Sequence, residues 1–440
     1  MVTATATAPR LATHRHGNRE LVCHRLDNGL RVVVEEDRRV PLVALNLRYD
    51  VGSRDEAPGR TGFAHLFEHV MFEGSRNVAA GEHFAVLQAA GATLNATTSF
   101  DRTTYFETVP STHLELALWL EADRMSALDL TEETFENQRA VVKNERRQRY
   151  DDQPYGDTTE LLYSLAYPQG HPYHHLPIGR MADLDAATLV GAAAFHERWY
   201  TPDTCVLSVV GDADRDEAVG LVERYFGAIP SRGAAPAHAP PRLVEAIGDP
   251  VRRSVLARVP APQLTIGIRV PRDDESLGHD AVDVLARALG RGRGSRLYRS
   301  LVVERELVQP TTSLLGCAHL TGDATLLVFC ARARSGVAIW QIESAVEEVL
   351  SDVAAGGITE EELERVRVMG RRGHQLGMDT ITARADRYGK VVTEHGDLTH
   401  AFDTPERLEQ VTTEHVATAA RIWLPPSNRA VVVHLPAGDR

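Results

Sequence analysis

Thr61-Gly-Phe-Ala-His-Leu-Phe-Glu-His-Val-Met-Phe-Glu73 decides how this chain is read. It reads as a short helix carrying His65, Glu68 and His69, with Thr61 as its N-cap. One helical turn separates positions i and i+4, so His65 and His69 point the same way, with Glu68 between them on that face. Two imidazoles so placed can reach one Zn²⁺, and a carboxylate beside them can take a proton from water. The order is H-x-x-E-H, the inverse of the commoner H-E-x-x-H. The same letters would also suit an amphipathic helix with solvated histidines, so a further donor is needed.

A catalytic zinc usually takes three protein ligands and keeps one position open. The third should be a carboxylate or histidine on another element. The candidate is Glu145, in Val141-Val-Lys-Asn-Glu-Arg146, on a long helix expected over 131–150 and lying 76 residues after His69. Spacing alone does not separate this role from a solvated glutamate in a run with Arg146, Arg147 and Gln148.

A length of 440 residues implies two to four domains with substantial cores. The 43% hydrophobic and 25% charged content is that of a soluble globular protein. A formal net charge of −13 argues against a nucleic-acid partner and at most favours basic substrates. Cys23, Cys205, Cys317 and Cys330 form no C-x-x-C pair, a pattern that suggests neither a disulfide scaffold nor a Cys-based zinc site and fits a reducing, cytoplasmic compartment. No run of eighteen apolar residues occurs, so no membrane-spanning helix is expected. Residues 1–20 lack the apolar core of a secretory signal. They read as a loosely attached arm, with a faint transit-peptide character in their arginines.

Along the chain, Asn28-Gly29 marks a hairpin turn and 42–50 alternates as a strand. Helices are expected over 81–90, 113–125, 157–165 and 188–199, a second hairpin over 93–109, and a strand over 204–211. Residues 231–241 are rich in Ala, Pro and Gly and read as a linker. The pattern then restarts. Leu130-Thr-Glu-Glu-Thr-Phe-Glu-Asn-Gln-Arg139 is echoed by Ile358-Thr-Glu-Glu-Glu-Leu-Glu-Arg-Val-Arg367, 228 residues on. Trp199-Tyr-Thr-Pro202 is echoed by Trp423-Leu-Pro-Pro426, 224 residues on. Two matches at nearly one offset indicate an internal duplication, of which only the first half keeps H-x-x-E-H. The expected layout is an arm over 1–20, a zinc-bearing domain over 21–230, a linker over 231–242 and a homologous domain over 243–440.

The chain resembles the pitrilysin, insulysin and mitochondrial processing peptidase family over nearly all of residues 25–435. The resemblance rests on Leu26-Asp-Asn-Gly-Leu30, on 62–72 around the motif, and on Gly91-Ala-Thr-Leu-Asn-Ala96 with Asp101-Arg-Thr-Thr-Tyr105. Gln138-Arg-Ala-Val-Val-Lys-Asn-Glu145, the strand entry over 198–211 and Ser295-Arg-Leu-Tyr298 complete it. It implies Zn²⁺ held by His65, His69 and Glu145, with Glu68 as general base. It implies an α/β (α+β) fold of two homologous domains, each a mostly antiparallel sheet covered by helices, together forming a clam-shell half. It also implies that peptide substrates add as a strand to the sheet edge around Asn95 and Ala96. An ordinary edge strand rich in polar threonine is the plainer reading of that segment.

Two positions depart from the family pattern. Gln138 stands where relatives often carry a glutamate, so it can hydrogen-bond near the site but bear no charge. Val302 and Gln309 stand where active single-chain relatives carry an arginine and a tyrosine. A related subunit without zinc would supply that pair, making this chain the zinc-bearing half of a heterodimer; a homodimer is the other arrangement. A shifted alignment would let Tyr298 or Arg299 serve instead. The expected function is zinc-dependent endopeptidase action on short or unfolded peptides. The alternatives are a non-catalytic peptide-binding or scaffold subunit and, less supported, an organellar presequence protease.

Overall fold

The computed structural model describes residues 12–17, 19–231, 238, 246–274, 276–310 and 316–437. Its strands form two sheets. The first contains β1 (Ala12–His16), β2 (Arg19–Arg25), β3 (Arg31–Glu36), β4 (Leu42–Tyr49), β5 (Thr93–Thr98), β6 (Thr103–Pro110) and β7 (Cys205–Gly211), in the order β1-β2-β3-β7-β4-β6-β5. The second contains β8 (Val251–Ala257), β9 (Gln263–Val270), β10 (Gly316–Cys317), β11 (Thr325–Arg332) and β12 (Arg429–Pro436), in the order β10-β11-β9-β12-β8. Pairing is antiparallel except for β3 with β7 and β8 with β12. The architecture is the expected mixed one of sheets and helices.

The described chain gathers into two compact units, and neither is contiguous. The first takes 1–143, 177–237 and 375–403; the second takes 144–176, 238–374 and 404–440. Each sheet is therefore covered by a helix from the other half of the sequence. In the first unit, helix Ile381–His395 lies on β4 and β7. Its buried residues Ala385, Tyr388, Val391 and Val392 pack with Leu21, Val33, Ala44, Val206 and Val210. Arg384, wholly buried, pairs with Glu35 at 3.0 Å and with Asp37, and Tyr388 donates to Glu35 at 2.6 Å. Arg48 to Glu394, at 2.8 Å, adds a further buried ion pair. In the second unit, helix Thr158–Ala166 lies on β9 and β12, with Asp157 at its start 2.7 Å from His434.

Part of the stretch read as a loose arm is structured. Residues 12–16 pair with 19–23 as a hairpin on the first sheet, because Arg19 to Arg25 continues the alternation of a strand that β3 already needs as neighbour. Residues 1–11 and most of the 231–242 linker lie outside the described residues. No helix among the described residues is long and apolar enough to cross a membrane.

Candidate metal centre

The motif stretch forms the helix Phe63–Val70, burying Phe63, Ala64, Leu66, Phe67 and Val70 and leaving His65, Glu68 and His69 partly exposed. An apolar face with all three polar residues on the other side fixes their direction. Thr61 is not the cap. Gly62 holds that position at φ 94, and Thr61 instead donates to Asp183 at 2.5 Å and accepts from the Arg180 N–H at 2.9 Å. The first N–H groups of the helix are satisfied from outside: Glu56 accepts from Gly62 and Ala64 at 2.9 and 2.8 Å. A carboxylate there also suits the positive end of the helix dipole. Gly179, at φ +73, crosses this turn so closely that a Cβ would stand 2.4 Å from the Gly62 Cα.

Glu145 lies on the helix Glu132–Arg146, which continues as a π-type turn over Arg147–Asp151. The structure brings its carboxylate together with the two imidazoles. The donor atoms of His65, His69 and Glu145 all lie within 4.8 Å of one another, and the histidine rings stand 4.9 Å apart, edge to face. Glu145 is half-buried and 2.8 Å from the exposed Arg149. Two imidazoles and one carboxylate form the donor set that catalytic zinc takes, so the residues present fit that ion.

Behind the donors the support is specific. Gln138 donates to Glu73 at 2.6 Å. Burial raises the Glu73 pKa, while that hydrogen bond and the neighbouring His69 pull it back. Glu73 is a partner the sequence reading missed, although it closes the quoted motif. Near enough to feel the Glu68 charge, the buried hydroxyls of Tyr105 and Tyr200 are 3.5 Å apart. Burial raises both tyrosine pKa values, and the Glu68 charge adds to the effect. Tyr105 donates to the Phe67 carbonyl at 3.3 Å, and Arg124 sits over its ring at 4.4 Å. Arg124 is committed to Glu121, and neither oxygen of the buried Glu107 beside them has a hydrogen-bond donor among the described residues.

Asn95 and Ala96 lie on β5, the terminal strand of the first sheet. Ala96 donates its N–H to the Asn95 Oδ1 at 2.8 Å, and the motif helix packs against this strand. Val302 is buried in the core of the second unit, within the π-type turn Arg299–Glu304. Gln309 donates to the Ala333 carbonyl at 3.1 Å. Two histidines of the 167–177 loop are tied inward: His171 is buried 3.0 Å from Asp323, and His174 bonds the Tyr167 carbonyl at 2.8 Å.

Residues 31–176 match the family model described as insulinase (peptidase family M16), and residues 192–368 match that of the peptidase M16 inactive domain. The chain is 32% identical over 350 residues to a zinc protease, PqqE, of Helicobacter pylori, covering 78% of this chain and 77% of that one. It is 30% identical over 420 residues to an uncharacterized zinc protease of Mycobacterium tuberculosis, covering 95% and 91%. A crystal structure of a protease from Helicobacter pylori superposes with a TM-score of 0.88 at 26% identity, covering 97% of this chain and all of that one. A peptidase M16 inactive domain from Pseudomonas fluorescens superposes at 0.83 with 19% identity, covering 94% and 98%.

Proposed function

The chain belongs to the M16 peptidase family, and from that premise we propose that it is a zinc-dependent endopeptidase hydrolysing short or unfolded peptides. The observation that carries this reading is the meeting of His65, His69 and Glu145 donor atoms beside a partly exposed Glu68. His65, His69 and Glu145 would hold the ion. When bound, zinc supplies Lewis acidity, making water acidic near neutrality and drawing charge from a carbonyl oxygen. Glu68 accepts the proton of the attacking water and returns it to the leaving amine. Glu73, fixed by Gln138, steadies the surroundings of His69.

Substrate recognition falls to β5. The Ala96 N–H that Asn95 now occupies is where a peptide carbonyl would bind, so the substrate adds as a strand with little demand on its side chains. With a valine at 302 and a glutamine at 309, contacts that relatives make through arginine and tyrosine come from a related subunit. The chain is on this reading the catalytic half of a dimer, acting in the cytoplasm, as Cys23, Cys205 and Cys330, free among the described residues, favour.

The test is the Glu68→Gln variant. It should keep one zinc per site by elemental analysis while peptide turnover falls by roughly 10²–10⁴-fold. Undiminished turnover ends the assignment of Glu68. Full activity of the purified chain without any partner ends the heterodimer. The second reading, a non-catalytic peptide-binding subunit, is favoured by the match of 192–368 to an inactive domain. It requires a purified chain that binds peptides on β5 and turns none over, alone or with its partner.

A further inference from the structure

Far from the motif in sequence, Asp273, His279 and His319 also bring their donor atoms within 4.8 Å of one another. Each comes from a different element of the second unit. Asp273 follows β9. His279 lies in the first turn of the helix Leu277–Gly290, whose N-cap Ser276 accepts its N–H at 3.2 Å. His319 lies in the β10–β11 connection. The two loops are held in register, because Asp273 donates its N–H to the Leu320 carbonyl at 2.8 Å. His319 is held at φ 48, a left-handed conformation that costs a non-glycine residue energy and persists where the surroundings enforce it.

The chemistry of the trio points to a cation. The Nδ1 of His279 lies 3.4 Å from the Pro271 carbonyl, which can only accept, so Nδ1 carries the hydrogen. The lone pair of its Nε2 then faces a carboxylate oxygen of Asp273 at 3.4 Å. Two acceptors so placed need positive charge between them, either a second proton or a metal ion. A charged N–H···O bond would draw in to about 2.7–2.9 Å. Ligands on a tetrahedral ion with bonds of about 2.0–2.1 Å stand roughly 3.4 Å apart. The separations here are 3.4 Å from His279 Nε2 to one Asp273 oxygen and 3.6 Å from His319 Nδ1 to the other, so each imidazole meets its own carboxylate oxygen near the second distance, as a carboxylate gripping one ion with both oxygens would allow. The backbone carbonyl behind His279 is the kind of outer partner that fixes a metal-binding tautomer. His279 is buried and the His319 side chain is 44% exposed, so the trio has a firm floor and an opening to water.

We propose that Asp273, His279 and His319 form a second site for a divalent transition ion of the zinc type, structural rather than catalytic, joining the β9 exit to the β10–β11 connection. Nitrogen and carboxylate donors suit zinc over calcium or magnesium. The site is independent of the motif centre, and either can fail alone.

The experiment is calorimetric titration of the metal-stripped full chain with ZnCl₂. In the Glu145→Gln background, which weakens the motif centre, one zinc equivalent should remain and should be lost on adding Asp273→Asn or the exposed change His319→Ala. Each of these two changes made singly should leave peptide turnover within about two-fold, and each made in the Glu145→Gln background should abolish that chain's zinc-dependent rise in Tm. Loss of no equivalent in either variant, or a single equivalent in the unaltered chain that Glu145→Gln removes, overturns the proposal. Far-ultraviolet circular dichroism of each variant separates a lost site from a lost fold.

Discussion

The two sheets have one plan and different duties. Read from β3, the first runs β3-β7-β4-β6-β5; read from β8, the second runs β8-β12-β9-β11-β10. The parallel pair, β3 with β7 and β8 with β12, falls at the same place in both. The helices Phe63–Val70 and Leu277–Gly290 both pack on the terminal strand of their own sheet, β5 and β10. Each also meets the helix that ends in the repeated tryptophan, Leu189–Trp199 or Thr413–Trp423. In the first unit Phe63–Val70 leaves His65, Glu68 and His69 partly exposed. In the second, Leu277–Gly290 is longer and buries Val282, Val284, Leu285, Ala288 and Leu289 instead. A duplicated scaffold thus kept its packing while only one copy kept donors on the outward face. Chemistry sits in the few residues that packing does not need.

Changes at those residues should separate the copies most sharply. Glu145→Gln should weaken zinc binding at the motif centre by roughly 100-fold or more, beyond what loss of an outer partner costs, with turnover falling in step. Competition with a chelator measures it; unchanged affinity would remove Glu145 from the centre.

The borrowed helices offer the next contrast. Arg384→Ala leaves Glu35 buried without its partner and should cost about 3–5 kcal/mol in urea unfolding. The matching contact in the second unit is Asp157 with His434. The Asp157 side chain is 48% exposed, so Asp157→Asn should cost below about 1 kcal/mol. Equal costs would show that the two helices are held in the same way.

A contrast in pH response concerns Glu107. Burial, with the Glu121 charge adding, raises its pKa well above that of an ordinary carboxylate. The folded state therefore keeps a proton that the unfolded chain releases above about pH 4.5. Stability falls as pH rises through that window, by at most about 1.4 kcal/mol per pH unit. Glu107→Gln should flatten the slope, leaving the part that the likewise raised Glu121 carries, and be the more stable form at pH 8. Parallel slopes for the two proteins would mean that Glu107 is ionised when folded.

Much of this was legible in the sequence because it is local. Asn28-Gly29, the hairpin of β5 and β6, the motif helix and the duplication all follow from turn chemistry, alternation and repeated letters. The third donor was legible only through the longer pattern from Gln138 to Glu145. Other features were hidden for physical reasons. A helix such as Ile381–His395 displays an apolar face, but nothing in its periodicity says which sheet it covers. Thr61 has the chemistry of a cap, yet Gly179 and Asp183, distant in sequence, draw it elsewhere. His171 reads as a loop histidine until Asp323 arrives beside it. Each miss is a long-range contact overruling a local preference.

The reciprocal helices bear on how the chain matures. When β7 leaves the ribosome the first sheet is complete in strands, yet its cover ends at residue 395. At ordinary synthesis rates of about 5–20 residues per second, those strands wait on the order of ten to thirty seconds with one face bare. Neither half can ripen ahead of the other, and a nascent chain stalled at the linker is a natural client for a chaperone.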